Sequence, residues 1–563
     1  MLRFDSFDPH ERLRAVIHSL RGRGPNMTFV IQDLRVPLDR EGVSAVDLAA
    51  RRLGVRVEGA KVLRKSLDAR AGKDPVFIYS LRVEVAPDVE KRLREGPRGK
   101  SLRAESPPPQ WPDQPDLERP HMPGRPVVVG SGPAGLFATW QLLRSGHKPL
   151  LLERGPDVTT RGKSWYSFLR GGAFDPECNL LFGEGGAGTF SDGKLTTRIK
   201  DPRVSTVLSL LVEHGAPESC LWEGKPHVGS NALPAIVRSL RRGLVDAGAE
   251  VRFSTRVDDL VVADDRVVGV RCAERPEAAG AVLLAIGHSA RDTYAMLMDR
   301  GVAMSAKPFQ MGLRVEHPQS LINEAQYGAS CGHPALPVAE YSLVSRDKSG
   351  QRSDVYSFCM CPGGEILPAT ERDGVLCVNG ASPRARDGHF ANSGLVVTVP
   401  PDEFSHSPQA GLALQERLET RAFALGGGGF GAPGQRVVDF LAGRLSETLA
   451  PTSYPLAVRS AQLSEVLPEG ATAGLIAALK AFEKRLPGYA GTEAMLVGPE
   501  SRSSAPLRMD RDKDSYESLS HPGLYPLGEG AGWAGGIMSA AVDGLRAAEA
   551  IHQRYRPALL SAS

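Results

Sequence analysis

Apolar residues arrive in short, closed bursts along this chain. Val127–Val129, Leu150–Leu152, Ala281–Ile286 and Leu524–Leu527 are continuous apolar runs bounded by glycine, proline or charge. Runs of that length with such borders read as strands buried on both faces. After the first of them the spacing changes, with Leu136, Leu142 and Leu143 at helical intervals and Gly146 as the stop. The first hundred residues differ. "MTFVIQDLRVPL", "KVLRKSLDAR" and "PVFIYSLRVEV" read as strands, "SAVDLAARRLGV" as an amphipathic helix and "DVEKRLREG" as a short closing helix. "EVRFSTRVDDLVVADDRVVGVRC" reads as a strand and hairpin. Strands alternating with helices predict an α/β protein.

The sharpest pattern is "RPVVVGSGPAGLFATWQLLRSGHKPLLLERG". A buried strand runs into Gly130, Gly132 and Gly135, a helix opens at Pro133 and Ala134, and a second strand ends at Glu153–Arg154. Gly130 permits the tight turn, Gly132 the approach of a pyrophosphate, and Gly135 close packing of helix on strand. The helix N-terminus offers unpaired N–H groups to phosphate. Glu153 sits where an acid accepts from ribose hydroxyls, and its charge argues against a 2′-phosphate. The site is therefore expected to hold a dinucleotide other than NADP. "ALGGGGFGAPGQ" contains a similar glycine spacing, but no strand leads into it, and the match is read as chance.

Two further stretches turn the reading towards FAD. "GLYPLGEGAGWAGGIMSAAVDGLRAAEAI" carries a strand, then Gly528–Glu529, then Gly536 and Ile537 opening a helix. This resembles the second FAD motif of glutathione-reductase-type flavoproteins, which usually has Asp where this chain has Glu529. A helix starting near Ile537 would aim its positive end at the flavin. "GAVLLAIGHSARD" resembles the strand that passes near FAD in the same superfamily, with Gly287 at its break. His288 and Arg291 there either face the cofactor or cap the next helix.

In "NLLFGEGGAGTFSDGKLTTRIKDP", Gly183, Gly185, Gly186, Gly188 and Gly193 stand among Glu184, Thr189, Asp192, Lys194 and Arg198. Glycines at this density are expected where backbone lies against a ligand or other backbone. Gly185, Gly186, Gly188 and Thr189 are assigned to the cofactor. Lys194 and Arg198 are candidates to bring positive charge to the flavin or to a substrate anion, or else they pair with Asp192.

Composition narrows the class. The chain has 563 residues, a net charge of +3 and 61 glycines. Charge is too balanced to mark the whole chain as nucleic-acid binding. No apolar run is long enough to span a bilayer, and the N-terminus lacks a signal-peptide core. Seven scattered cysteines are no disulfide framework. The expectation is a cytoplasmic protein without a membrane partner. Residues 1–103 carry 22 Lys and Arg against 14 Asp and Glu, a net +8. This basic unit is read as a solvated face, with RNA binding as the rival. Residues 104–124 hold seven prolines and read as a stiff linker.

Taken in order, "NLLFGEGGAGTFSDGKLTTR", "LAIGHSARD", "VYSFCMCPGGEI", "ESRSSAPLR" and "GLYPLGEGAGWAGGIMSAAVDG" resemble the bacterial and plastid family of uncharacterised FAD-dependent dehydrogenases, the NAD(FAD)-utilising dehydrogenases. The likeness runs from about Lys61 to the C-terminal helix. It implies a glutathione-reductase-type FAD-binding Rossmann domain with an inserted α/β substrate domain and a small N-terminal α/β domain. The boundaries expected are 1–103, linker 104–124, FAD domain 125–299 and 494–556, inserted domain 300–493, and tail 557–563. The resemblance names no substrate.

Candidates for the chemistry lie in the inserted segment. Cys359 and Cys361 form C-x-C, read as structural packing or as a redox or substrate-contacting pair. On a strand both sulfurs would share a face. No metal-finger spacing lies nearby, so no metal is expected. "MGLRVEHPQ" places Arg314 and Glu316 as a pair, with His317 as packing or a proton donor. "GPESRSSAPLR" brings Glu500, Arg502, Ser503, Ser504 and Arg508, with Arg502 suited to an anionic or carbonyl substrate. No second strand–G-x-G-x-x-G–helix unit is present, so NAD(P)H would have to dock transiently at the flavin. The function expected is hydride transfer between flavin and a small or medium organic substrate. An RNA-modifying flavoprotein and a non-catalytic FAD-binding redox sensor are the alternatives. The oligomeric state is left open.

Overall fold

A computed structural model describes residues 28–70, 73–95, 102–104, 119–347 and 354–558. Most of the proline-rich stretch, 105–118, lies outside the described residues, as does 559–563 of the tail.

The apolar bursts form one parallel sheet of five strands, in the order Leu524–Pro526, Ala281–Leu284, Pro126–Val129, Leu150–Leu152 and Glu250–Arg252. Strands from both ends of the chain therefore meet in one sheet. Alternate residues feed two cores. Val128, Leu151, Leu283 and Tyr525 pack on one face against the helices Pro133–Arg144, Leu233–Asp246 and Ile537–Arg554. Val127, Val129, Leu150 and Leu284 pack on the other against the helix Arg291–Asp299 and an antiparallel meander, Asp259–Ala263, Arg266–Cys272 and Arg275–Ala278. Both faces are covered, so the strands are continuous in hydrophobicity rather than alternating.

The chain leaves this unit along Met304–Ala306 and returns along Leu507–Met509, and these two strands pair antiparallel. Between them lies an eight-stranded, mostly antiparallel sheet centred on Phe309–Pro318, Phe390–Val399, Val355–Pro368 and Met495–Glu500. The helices Pro408–Leu425 and Glu469–Glu483 contribute to its core.

The first strands make a separate four-stranded antiparallel sheet, Gly59–Asp68, Val76–Glu84, Thr28–Pro37 and Leu102–Ala104. The helices Ala45–Leu53 and Pro87–Glu95 close its core with Leu48, Leu53 and Leu93. Ser44 caps the first of these helices and Gly54, at φ +71°, ends it. Gln326 Nε2 reaches Ala69 O at 2.6 Å and ties this sheet to the large one.

Candidate active site

A cavity of about 420 Å3 runs between the parallel sheet and the eight-stranded sheet. The strand ends at Val129, Leu152, Ala285 and Leu527 open into it, the place where parallel α/β sheets bind ligands. Two helices point their N-termini there. Pro133–Arg144 starts after Gly132 and Ile537–Arg554 after Gly536, and neither has a side-chain cap. Their first N–H groups are free for an anion.

The fingerprint glycines divide by role. A Cβ on Gly135 would sit 1.8 Å from Gly130 O, and one on Gly130 would sit 2.3 Å from Ala285 O. Both are needed for the fold itself. A Cβ on Gly132 would meet nothing nearer than Gly186 Cα at 3.9 Å, and at Gly287, Gly535 and Gly536 nothing stands within 4 Å. These four present bare backbone to the cavity. The cradle and the two uncapped helix ends fit a dinucleotide pyrophosphate and a flavin.

Glu153 lines the cavity but is already engaged. It accepts from Ser131 N and Oγ at 2.9 and 2.6 Å, and from Gly155 N and Gly183 N at 3.0 and 3.1 Å. The sequence expectation is a contact to ribose hydroxyls; here the carboxylate holds the backbone at Ser131, Gly155 and Gly183 together beside the cavity. Arg154 also lines the wall, held by Glu177 and Asp292 over the Phe182 ring.

The glycine-rich stretch is organised by a residue the sequence reading missed. Arg161 is fully buried and donates to the carbonyls of Asn179, Leu180, Gly183, Glu184 and Gly186. Burial lowers its pKa to about 10. The only sequence signal was an arginine amid the helical spacing of Val158–Phe168. Several glycines therefore lie against protein rather than ligand: a Cβ on Gly185 would sit 2.0 Å from Thr189 Oγ1. Gly185 and Thr189 lie off the cavity wall, whereas Gly186 and Gly188 line it. Glu184 takes the N-terminus of the helix Val158–Phe168 and pairs with Arg241 at 2.8 Å.

Lys194 lines the cavity. Its ammonium meets Met360 O and lies 3.3 Å from Asp192, which Arg386 approaches at 3.2 Å from the other side. Burial opposes ionisation of Lys194, but the neighbouring sulfurs of Cys361 and Cys359, with Asp192, hold its proton tightly. Arg198 is exposed and off the cavity wall, because the chain has turned outward by Thr196. Its expected part at the flavin is not supported by this placement.

At the motif near the C-terminus, Glu529 lines the cavity while Gly528 sits behind it, its N–H bound to Asp543 at 2.7 Å. Burial raises the Glu529 carboxyl to about 7 despite Lys307. His288 lines the cavity 4.0 Å from Glu529; burial, Arg502 and Arg291 lower it to about 3. Arg291 turns away to Gln415.

The far end of the cavity is built by the eight-stranded sheet: Phe358, Cys359, Asn379, Glu500, Arg502 and Ser503. Arg502 is buried between Glu419 and Glu371. Arg314 pairs with Glu500 rather than with Glu316, and also binds Asn392 and Asn379. Glu316 instead accepts from Ser453. His317 is sealed among Tyr341 and Tyr489, with Nε2 on Tyr489 O at 2.7 Å, and lines no part of the cavity.

Comparison with known proteins agrees with this layout. Residues 308–503 match the family model described as FAD-dependent protein, C-terminal domain-like, and residues 128–184 match an NAD(P)-binding Rossmann-like domain. Among solved structures, L-proline dehydrogenase from P. horikoshii is 10% identical, covering 77% of this chain and 94% of its own, at a TM-score of 0.36. Glycine oxidase from Bacillus cereus is 12% identical over 76% and 94%, at 0.35. Those two likenesses are too distant to carry an assignment. An uncharacterized protein of Clostridium beijerinckii is 46% identical over 434 residues, 77% of this chain and 81% of that one. The chain belongs to the same family as that clostridial protein, and it joins a Rossmann-like dinucleotide domain to an FAD-dependent-protein C-terminal domain.

Proposed function

We propose that this protein is an FAD-dependent oxidoreductase that passes hydride between flavin and a small or medium organic substrate. The observation that carries the reading is continuity. One cavity runs from two uncapped helix N-termini at Gly132 and Gly536 to Cys359, Asn379 and Arg502 on the other sheet. In this reading segments 125–299 and 494–556 form a glutathione-reductase-type cofactor domain, and 300–493 is the substrate domain. FAD, when bound, supplies the redox step. The chain's own residues do the rest. Gly130, Gly132, Pro133 and Ala134 seat the pyrophosphate. Glu153 and Arg154 fix the loops at the adenosine end, and Gly287, Glu529, Gly536 and Ile537 flank the ring. Lys194 holds a permanent positive charge on the wall, and Glu529, poised near neutrality, exchanges a proton with what lies there. The eight-stranded sheet covers the reacting end and keeps water out. NAD(P)H, as donor, docks at the cavity directly.

The test is the visible spectrum of the purified protein without oxygen, before and after NADH or NADPH. A two-banded flavin spectrum that bleaches is expected. A colourless protein that takes up no FAD overturns the reading.

A further inference from the structure

Cys359 and Cys361 lie on one strand, yet only Cys359 lines the cavity. Residues two apart on a regular strand share a face. Here the pairing register slips between Phe358 and Cys361, and Cys359 holds φ of +43°, a conformation non-glycine residues seldom adopt. The bulge gives the two sulfurs different surroundings. Cys361 is fully buried, its Sγ 3.2 Å from Cys359 O and 3.9 Å from Arg314 Nη1. Lys194 reaches the same turn through Met360 O, and Arg314 through Cys359 O at 3.4 Å. Asp192 and Glu500 are the acids nearby, each tied to one of these cations.

The electrostatics split the pair. The neighbouring Cys361 thiol, with Lys194 and Arg314, pulls the Cys359 thiol well below its ordinary value against the opposition of burial. The closeness of the Cys359 sulfur and its charge, together with burial, pushes Cys361 up. The sulfur more readily ionised thus faces the cavity, and the one less readily ionised lies behind it.

We propose, resting on the cofactor reading above, that Cys359 and Cys361 are a nucleophile and resolving thiol that reduce a small disulfide entering the cavity. The Cys359 thiolate attacks one substrate sulfur; a Cys359–sulfur bond forms, the substrate S–S bond breaks, and one half leaves as thiolate. Cys361 then attacks the Cys359 sulfur, closing the protein disulfide, and its proton leaves on the second half as thiol. Two electrons pass from the protein pair to the substrate. Restoring one thiolate and one thiol takes one hydride equivalent, which FAD, when bound and reduced, would supply. A carbon electrophile would engage Cys359 alone and leave the neighbouring thiol without a part. Low-pKa, accessible cysteines beside a resolving cysteine are the usual arrangement for exchange with sulfur.

The experiment treats the full-length protein with bis(2-hydroxyethyl) disulfide without oxygen, blocks remaining thiols with iodoacetamide and maps tryptic peptides by mass. Cys359 and Cys361 share the peptide 353–372. That peptide is expected unlabelled and lighter by two hydrogens, while Cys361→Ser traps the mixed disulfide on Cys359. Both cysteines alkylated as before treatment, or adducts only on exposed Cys331, overturns the proposal. If Cys361→Ser does not fold, wild-type labelling decides. At pH 6 Cys359 should alkylate at least about ten-fold faster than Cys331, and the reverse order overturns the proposal. The two readings fail separately. A flavin that bleaches beside an unreactive pair removes only the thiol proposal; a colourless protein whose pair oxidises removes the cofactor reading and the flavin as the source of hydride, while the exchange at Cys359 and Cys361 stands.

Discussion

Arg161 Nη1 donates to Gly183 O at 3.2 Å, and a Cβ on Gly183 would stand 2.5 Å from Arg161 Cδ. The arginine and the glycine fit only as a pair, and five carbonyls of the glycine stretch depend on that fit. Arg161→Met takes a donor from each of them: Gly183 O keeps Gly186 N and Glu184 O keeps Thr189 Oγ1, but the carbonyls of Asn179 and Leu180 lose the arginine outright. Unfulfilled buried groups cost about 1–3 kcal/mol each, partly relieved by rearrangement, so a loss of about 3–5 kcal/mol is expected. Urea unfolding measures it, and retention of FAD on ultrafiltration should fall with it. Gly183→Ala, forced to hold φ of +114°, should behave alike.

Gly132 and Gly135 are expected to fail differently when changed to alanine. Gly135→Ala drives a methyl into Gly130 O and should abolish soluble expression. Gly132→Ala meets open space. Its apo form should melt within about 2 °C of wild type, because surface changes away from packing cost little. Its FAD affinity should drop by about 100-fold or more, since the methyl occupies the approach of the pyrophosphate. Calorimetry of the apo forms and flavin titration separate the two.

Lys194→Met removes one of the two cations beside Cys359. Opposite charge favours the ionised form, so its removal should move the midpoint of Cys359 alkylation up by about one pH unit or more. A rate–pH profile with iodoacetamide reads this directly. An unmoved midpoint would assign the low thiol pKa to Arg314 and Cys361 alone.

Glu529 gives the apo protein a pH signature. Burial raises its carboxyl to about 7 from 4.5. Between those values the folded chain keeps a proton that the unfolded chain has released, so this group's contribution to stability is full below pH 4.5. It falls as pH rises to 7 and is level above. Glu529→Gln should flatten that slope in a series of melting curves from pH 5 to 8, and an unchanged slope would place the titration elsewhere.

The parallel sheet and its glycine turn were largely legible, because buried parallel strands and the glycines between them are written locally. Val127–Val129, Gly130 and Gly132 carry their roles within a few residues. What was not legible depended on distant partners. Arg314 and Glu316 share a strand two residues apart, but Arg314 finds Glu500 far along the chain. The protein partners of Glu153 were not visible either: Gly183, 30 residues on, folds back to donate to it. Arg198 looked like part of the Lys194 cluster because sequence shows neighbours, not the outward turn between them. The bulge at Cys359 had no signal at all: Phe-Cys-Met-Cys reads as plain strand, and the sheet's register imposes the twist.

The strands Met304–Ala306 and Leu507–Met509 run side by side in opposite directions. Everything between them is thus a single loop tied at its neck. Such a segment is exchangeable as a cassette: its length and content can change while the five-stranded sheet and its glycine turns stay wired as they are. Changes confined to one side of the neck can therefore rebuild the cavity wall at Cys359 and Asn379 without disturbing Gly132 or Gly536.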